Sequence, residues 1–370
     1  MSHGLIENYP HQIGGHCGSG AMRDLLHWHG LGWGRPPAEG LVFALGGDLG
    51  LSYLRSDGLV PPVYLVGRGA DFEIDLPRRL GGQVEVLTTD DPRQGWSWVR
   101  DEIDAGRPTL VWGDIAELPY LKVQLQMSRH DIVVIGYDES EGTVTVVDND
   151  RADVQEIPFE ALARARSSTS FPQPTRHCTF RITWPDRLPD IATVAAEAFA
   201  QSAVSMRHPT RPGIADLAEA QEQGLVAVDR LVQDVRGWVD LPVYDLEILL
   251  FSLSMFIEKA GTGGGLFRRL LADGCEEVAR LTGNEATANL AAAAGRCAQV
   301  WTETACACRD RGVDAQVRAA RVATTVSQLP ALESALVDAL EAASRSLVAT
   351  DHAGGSMWTE QHSARRTPSE

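Results

Sequence analysis

Lysine is nearly missing from this chain. Of 33 basic residues only Lys122 and Lys259 are lysine, and with 50 acidic residues the formal net charge is −17. A chain this acidic lacks the clustered cations that a phosphate backbone requires, which argues against nucleic acid as a partner. Long apolar runs are also missing. Stretches such as Leu290–Ala294 fall far short of the roughly 20 residues needed to span a bilayer, so no membrane span is expected. The segment Met1-Ser2-His3-Gly4-Leu5 has neither the basic nor the apolar region of a secretory signal, and a cytoplasmic location is expected. The six cysteines (17, 178, 275, 297, 306 and 308) show no C-x-x-C spacing, and no histidine lies near Cys306 and Cys308. Neither a disulfide framework nor a metal site is therefore expected.

What is present is 370 residues with 44% hydrophobic content, which suffices for two domains at about 100–200 residues each. The first half mixes short helices with strands. Gly18–Gly30, Pro92–Ala105 and Pro158–Arg166 read as helices. Thr109–Trp112, Asp131–Tyr137, Thr143–Asp148 and His177–Trp184 read as strands. The polar segment Asp138–Gly142 suits a hairpin between the second and third of these strands. From Ile191 onward the periodicity is helical. Candidate helices are Ala192–Met206, Ile214–Arg236, Tyr244–Glu258, Gly265–Thr282, Asn284–Arg309 and Asp314–Ala349. Cys275, Cys297, Cys306 and Cys308 fall in this Ala-rich sequence and read as small core residues. The expectation is an α+β domain over residues 1–185, an all-α helical domain over 190–350, and a disordered polar tail over 351–370.

Cys17 stands apart. The segment His11-Gln-Ile-Gly-Gly-His-Cys17-Gly-Ser-Gly-Ala-Met-Arg-Asp-Leu-Leu26 delivers it from a glycine-rich turn to the first residues of an amphipathic helix. Unpaired N–H groups and the helix dipole favour thiolate there, the form in which cysteine is a nucleophile. Gly18, Ser19, Gly20 and Ala21 are small enough to leave room for a substrate carbonyl. A buried cysteine beside a turn is the alternative reading. A thiolate also needs a proton acceptor and a group to orient that acceptor. His130 opens one strand and Asp148 closes the next, so an antiparallel hairpin brings them to the same rim. Asp148 would then hold one ring nitrogen while the other faces Cys17.

In order and local sequence these residues resemble the papain-like superfamily, and more closely the butirosin biosynthesis protein H family. The matching stretches are Gly14-Gly-His-Cys17-Gly-Ser-Gly-Ala21 with Arg23-Asp-Leu-Leu26, Ala38–Gly47, Asp114 with Leu118-Pro-Tyr120, and His130–Asp138 through Asp148. In the helical half, Gly263-Gly-Gly-Leu-Phe-Arg268 is similar to the family's glycine-rich helix entry, so the resemblance spans about residues 10–280. One departure is Asn149, where proline is expected, and it leaves Asp150 open as a substitute for Asp148.

The resemblance implies a papain-type catalytic domain fused to a helical domain. It also implies transfer of an acyl or aminoacyl group from an acyl carrier protein thioester, through Cys17, onto an amine acceptor to form an amide in antibiotic-type metabolism. The enzyme would need no cofactor of its own, because the phosphopantetheine travels on the donor. Papain-like sites use an upstream side chain beside the nucleophile's own N–H to hold the oxyanion. Gln12 or His11 would serve here, with His16 as a third candidate. Asp114 or Glu39 could hold an ammonium group of the acceptor between Trp112 and Tyr120, or each could be a solvated carboxylate. The run Gly261–Gly265 with Arg268 and Arg269 is either an interhelix turn or an anion site for the phosphopantetheine arm. It is not a Walker loop, and Gly46–Gly50 lacks dinucleotide spacing. Two further readings remain: a cysteine hydrolase or cyclase using the same residues, and a non-catalytic binding module. Monomer and homodimer are both compatible with the sequence.

Overall fold

The short apolar runs of the first half assemble into antiparallel sheets that hold the rim on which His130 sits. The structure, a computed structural model, describes residues 3–56, 58–209 and 222–363. In chain order the first half comprises β1 (His3–Leu5), α1 (Cys17–Trp28), α2 (Glu39–Gly46), β2 (Leu49–Arg55), β3 (Val63–Arg68), α3 (Phe72–Arg79), β4 (Gln83–Leu87), α4 (Pro92–Asp104), β5 (Thr109–Gly113), β6 (His130–Asp138), β7 (Thr143–Val147), β8 (Gln155–Pro158), α5 (Phe159–Arg166) and β9 (Thr179–Thr183). The second half follows with α6 (Ile191–Arg207), β10 (Glu222–Gln223), α7 (Gly224–Arg236), α8 (Val243–Glu258), α9 (Arg268–Thr282), α10 (Glu285–Arg309), α11 (Ala315–Val326) and α12 (Leu329–Ser363).

The main sheet has the order β4-β9-β5-β6-β7-β8, and β1 also pairs with β6. β6 is central because its run Asp131–Tyr137 is buried along its whole length. β6 and β7 form the expected antiparallel hairpin, with Val133 opposite Val147 and Val134 opposite Val146. A smaller sheet, β10-β2-β3, joins the two halves, because β10 pairs with β2. The chain is thus mixed α and β with antiparallel sheets and a helical C-terminal region. That region is not purely α, since it contributes β10.

Several elements escape periodicity for a physical reason. β2 is buried on both faces from Leu49 to Leu54, so it carries no period-two alternation. α2 is buried from Gly40 to Gly46 and has no polar stripe. In the helical region, the expected helix 314–349 is two helices. α12 restarts at Leu329 with Pro330 in its first turn, where a missing N–H leaves no bond unmade. Of the expected helix 214–236 the structure has α7; residues 210–221 lie outside those described. α12 runs to Ser363, into the segment expected to be disordered, and residues 364–370 also lie outside those described. Local capping sets other boundaries: Asp91 accepts from the Arg93 N–H at 2.9 Å, Asn284 accepts from the Thr287 N–H at 3.0 Å, and Gly283 closes α9 in the left-handed conformation.

One cluster of buried side chains runs from Ile6 to Leu347 through both halves. One close approach between the halves lies next to Cys17. The Gly263 N–H donates to the Gly15 carbonyl at 2.9 Å, and a Cβ on Gly15 would stand 2.6 Å from the Gly263 Cα. Among the described residues no helix is long and apolar enough to cross a membrane.

Candidate active site

Cys17 is the first residue of α1, and His16 is its N-cap. The His16 ring accepts the Ser19 N–H on Nδ1 at 3.2 Å, satisfying one of the helix's unpaired donors. The edges of Phe43, Phe72 and Phe267 pack about this ring, with centroids 6.0, 5.6 and 5.2 Å away. Its Nε2 is buried with no hydrogen-bond partner. Glu39, at the start of α2, holds the turn ahead of the helix: its carboxylate accepts the Gly15 N–H at 2.8 Å, the His16 N–H at 2.8 Å and the Ser19 hydroxyl at 3.0 Å.

His130 opens β6, and its Nε2 lies 2.7 Å from Asp148 Oδ2. The strand register explains the pairing. With Val133 opposite Val147, Asp148 lies diagonally across from His130 on the same face, within reach of a long side chain. The chain then turns, with the Arg151 N–H bonded to the Asp148 carbonyl at 3.0 Å, which carries Asp150 away. The Asp150 carboxylate is exposed and pairs with Arg151 at 2.6 Å, so Asp148 and not Asp150 meets the imidazole. Asp148 also accepts the Tyr120 hydroxyl at 2.8 Å and the Asp150 N–H at 3.0 Å.

These contacts set the charges. Burial alone would raise the Cys17 thiol, but the neighbouring His16 and His130 rings hold it well below the ordinary thiol value. Burial works against a charged His130, yet the Asp148 carboxylate, its hydrogen bond and the Cys17 sulfur raise it well above the ordinary imidazole value. Asp148 is lowered despite its burial, chiefly by His130. The arrangement therefore favours a thiolate facing an imidazolium.

Behind the sulfur lies a buried group that sequence reasoning missed. Asp131 Oδ2 is 3.6 Å from Cys17 Sγ, and its Oδ1 has no partner. Burial, then Glu73, then Cys17 raise Asp131 well above the carboxylate range. Glu73 is lowered despite burial, by Arg129 and Arg68. Arg129 lies 3.5 Å from Glu73 and stacks over the Trp112 ring at 4.3 Å. The only sequence signal for Asp131 was an ionisable side chain opening an otherwise apolar strand, directly after His130.

Several sequence expectations need correction. His11 cannot donate to a substrate, because Nδ1 bonds Asp24 at 2.9 Å and Nε2 bonds the Arg151 carbonyl at 2.7 Å. Gln12 is exposed and outside the cavity that contains Cys17, whereas His16 lines it. Glu39 and Asp114 are both engaged within the protein. Asp114 is fully buried, accepting the Ala116 and Met127 N–H groups at 3.0 and 3.1 Å and the Ser168 hydroxyl at 2.6 Å. Trp112 lies beneath Arg129 and Tyr120 bonds Asp148, so neither walls the cavity. Arg268 is wholly buried and bidentate to Glu333 at 2.9 and 3.0 Å, leaving no donor for a phosphate. The run 261–265 packs on the Cys17 turn. The small residues after Cys17 make room for protein neighbours as well: a Cβ on Gly18 would meet Asp131 at 3.1 Å, and one on Gly20 would meet Asn149 at 3.0 Å.

Cys17, His130, His16, Arg68, Arg129 and Asn149 face a common cavity of about 1200 Å³. Among the described residues no three or more His, Cys, Asp or Glu side chains converge as a metal ion would require. Residues 16–149 match a family model described as butirosin biosynthesis protein H, N-terminal, and residues 160–340 match one described as a domain of unknown function, DUF4872. No curated protein matches the chain.

Proposed function

We propose that the chain, whose residues 16–149 match the butirosin biosynthesis protein H N-terminal model, is a cysteine-dependent acyltransferase of antibiotic-type metabolism, built on a papain-like arrangement. The observation that carries this reading is that Cys17, at a helix start, and His130, held by Asp148 at 2.7 Å, line the same large cavity. In outline, the Cys17 thiolate attacks the carbonyl of a thioester carried by an acyl carrier protein. The C–S bond to the carrier breaks, and His130 gives its proton to the departing thiol. An amine then attacks the Cys17 thioester and passes a proton to His130. Collapse releases the amide and restores the thiolate.

Asp148 keeps the His130 ring oriented and stabilises its charged form. The oxyanion of each tetrahedral intermediate needs donors already in position. The Cys17 N–H is one. His16 is the second: its ring lines the cavity beside Cys17, and its Nε2 has no partner within the protein. Acyl carrier protein as donor, a small amine as acceptor and the absence of a further cofactor follow from this reading.

The test is intact-protein mass spectrometry after mixing the enzyme with acyl-pantetheine thioesters, with Cys17→Ala in parallel, followed by a set of amines. An adduct that needs Cys17 and discharges to amide supports transfer. Discharge to free acid whatever the amine makes the protein a hydrolase.

A further inference from the structure

The cavity beside Cys17 extends far beyond the reacting atoms, and its chemistry changes with distance. Near the sulfur it is polar, with His16, Arg68, Arg129 and Asn149. Away from it one wall is a single face of α8, where Asp245, Ile248, Ser252 and Met255 recur at helical spacing, continued by Lys259, which caps the helix. The turn after α8 meets the Cys17 loop through Gly263 and Gly15, so Lys259 marks the near end and Asp245 the far end. At 1.5 Å per residue the wall is roughly 20 Å long. The facing walls are the β2–β3 turn, with Leu59, Val60 and Pro61, and the loop bearing Val123 and Leu125. Val60 is 91% exposed, Phe251 57%, Leu125 47% and Val123 40%, so four large apolar side chains that face water lie on this groove.

The geometry points to the occupant: the α8 groove binds a long, unbranched aliphatic acyl chain whose thioester carbonyl lies at Cys17. This rests on the acyl-transfer reading and names its substrate class. A groove of about 20 Å takes a chain of roughly 17 extended bonds, at about 3.5 Å for every three. A peptide, or the pantetheine arm with its two amides, would need hydrogen-bond partners along the walls. Those walls are mostly Leu, Val, Ile, Met and Phe side chains with Pro61, Pro62 and Pro172, which have no N–H to offer, and the polar side chains between them, such as Arg55, Tyr64, Gln124 and Ser252, are fewer than a run of amides needs. An aliphatic chain needs none, and each methylene buried is worth roughly fourfold in binding.

The experiment measures Cys17 loading from straight-chain N-acetylcysteamine thioesters of 4 to about 16 carbons, a leaving group too short to fill the groove. In parallel, the Cys17→Ala protein is titrated with the matching free fatty acids. Loading efficiency and acid affinity are expected to rise together, up to about fourfold per methylene until the groove is full. Met255→Trp, about 6 Å from the near end, should shorten the preferred chain more than Ile248→Trp, about 16 Å from it. Fatty-acid binding with this length dependence but no Cys17 adduct would keep the groove assignment and refute acyl transfer. Efficient loading with no dependence on length, or with preference for short polar aminoacyl donors, would overturn the groove assignment and leave transfer standing. Efficiency that follows the length of the thiol arm instead would also overturn it, by assigning the groove to pantetheine.

Discussion

Replacing Arg268 by methionine should cost the protein stability and leave its chemistry per folded molecule unchanged. Arg268 at the start of α9 and Glu333 in α12 are both wholly buried and meet through two bonds of 2.9 and 3.0 Å. The Trp301 indole N–H also donates to Glu333 at 2.7 Å, and Arg268 donates to the Gly67 and Leu266 carbonyls at 3.0 and 2.9 Å. The guanidinium therefore ties α9 and α12 to the end of β3. Arg268→Met leaves a buried carboxylate with one donor and two carbonyls short of a partner. Breaking such a pair costs ~3–5 kcal/mol, because the remaining charge is uncompensated. At about 2 °C per kcal/mol for a long chain, the melting temperature should fall by roughly 6–10 °C. Glu333→Leu alone should cost a similar amount. The double variant Arg268→Met/Glu333→Leu removes both charges and should recover most of the loss, since apolar replacement of a whole buried pair is often neutral. Urea denaturation of the four proteins closes the cycle. A single variant within ~1 kcal/mol of wild type would refute the argument, as would a double variant no better than either single. If instead Arg268→Met folded normally and lost only transfer from the carrier, the side chain would be a substrate contact after all.

Two other outcomes follow from the site. Cys17 alkylation by iodoacetamide should persist well below the pH at which ordinary thiols react and fall only as pH drops through the lowered thiol value. His130→Ala removes a neighbouring ring that favours thiolate, so the onset should move to higher pH and acyl transfer should fall ~100- to 10,000-fold; an unmoved alkylation profile would mean that His130 does not act on the sulfur. Glu39→Gln keeps the shape of the side chain but weakens its hold on the Gly15, His16 and Ser19 donors, at an expected ~1.5–3 kcal/mol of stability with slower Cys17 alkylation, measured by denaturation and by rate.

The chain's own order determined what depends on neighbours close in sequence. A glycine-rich turn running into an apolar-periodic segment put Cys17 at a helix start, and five polar residues between two apolar runs made the β6–β7 hairpin that brings His130 to Asp148. Choosing Asp148 over Asp150 already needed the fold, because it turns on where β7 ends. Strands and helices buried on every side, such as β2 and α2, hid from periodicity, which reports the contrast between a wet face and a dry one. The roles of Glu39, Asp114 and Arg268 were also beyond reach. A carboxylate or guanidinium reads the same in sequence whether it faces a ligand or a buried protein donor, and burial decides which. The groove along α8 was hidden for a related reason. Its walls come from segments up to about 200 residues apart, and each apolar residue there reads as ordinary core until tertiary packing leaves a space in front of it.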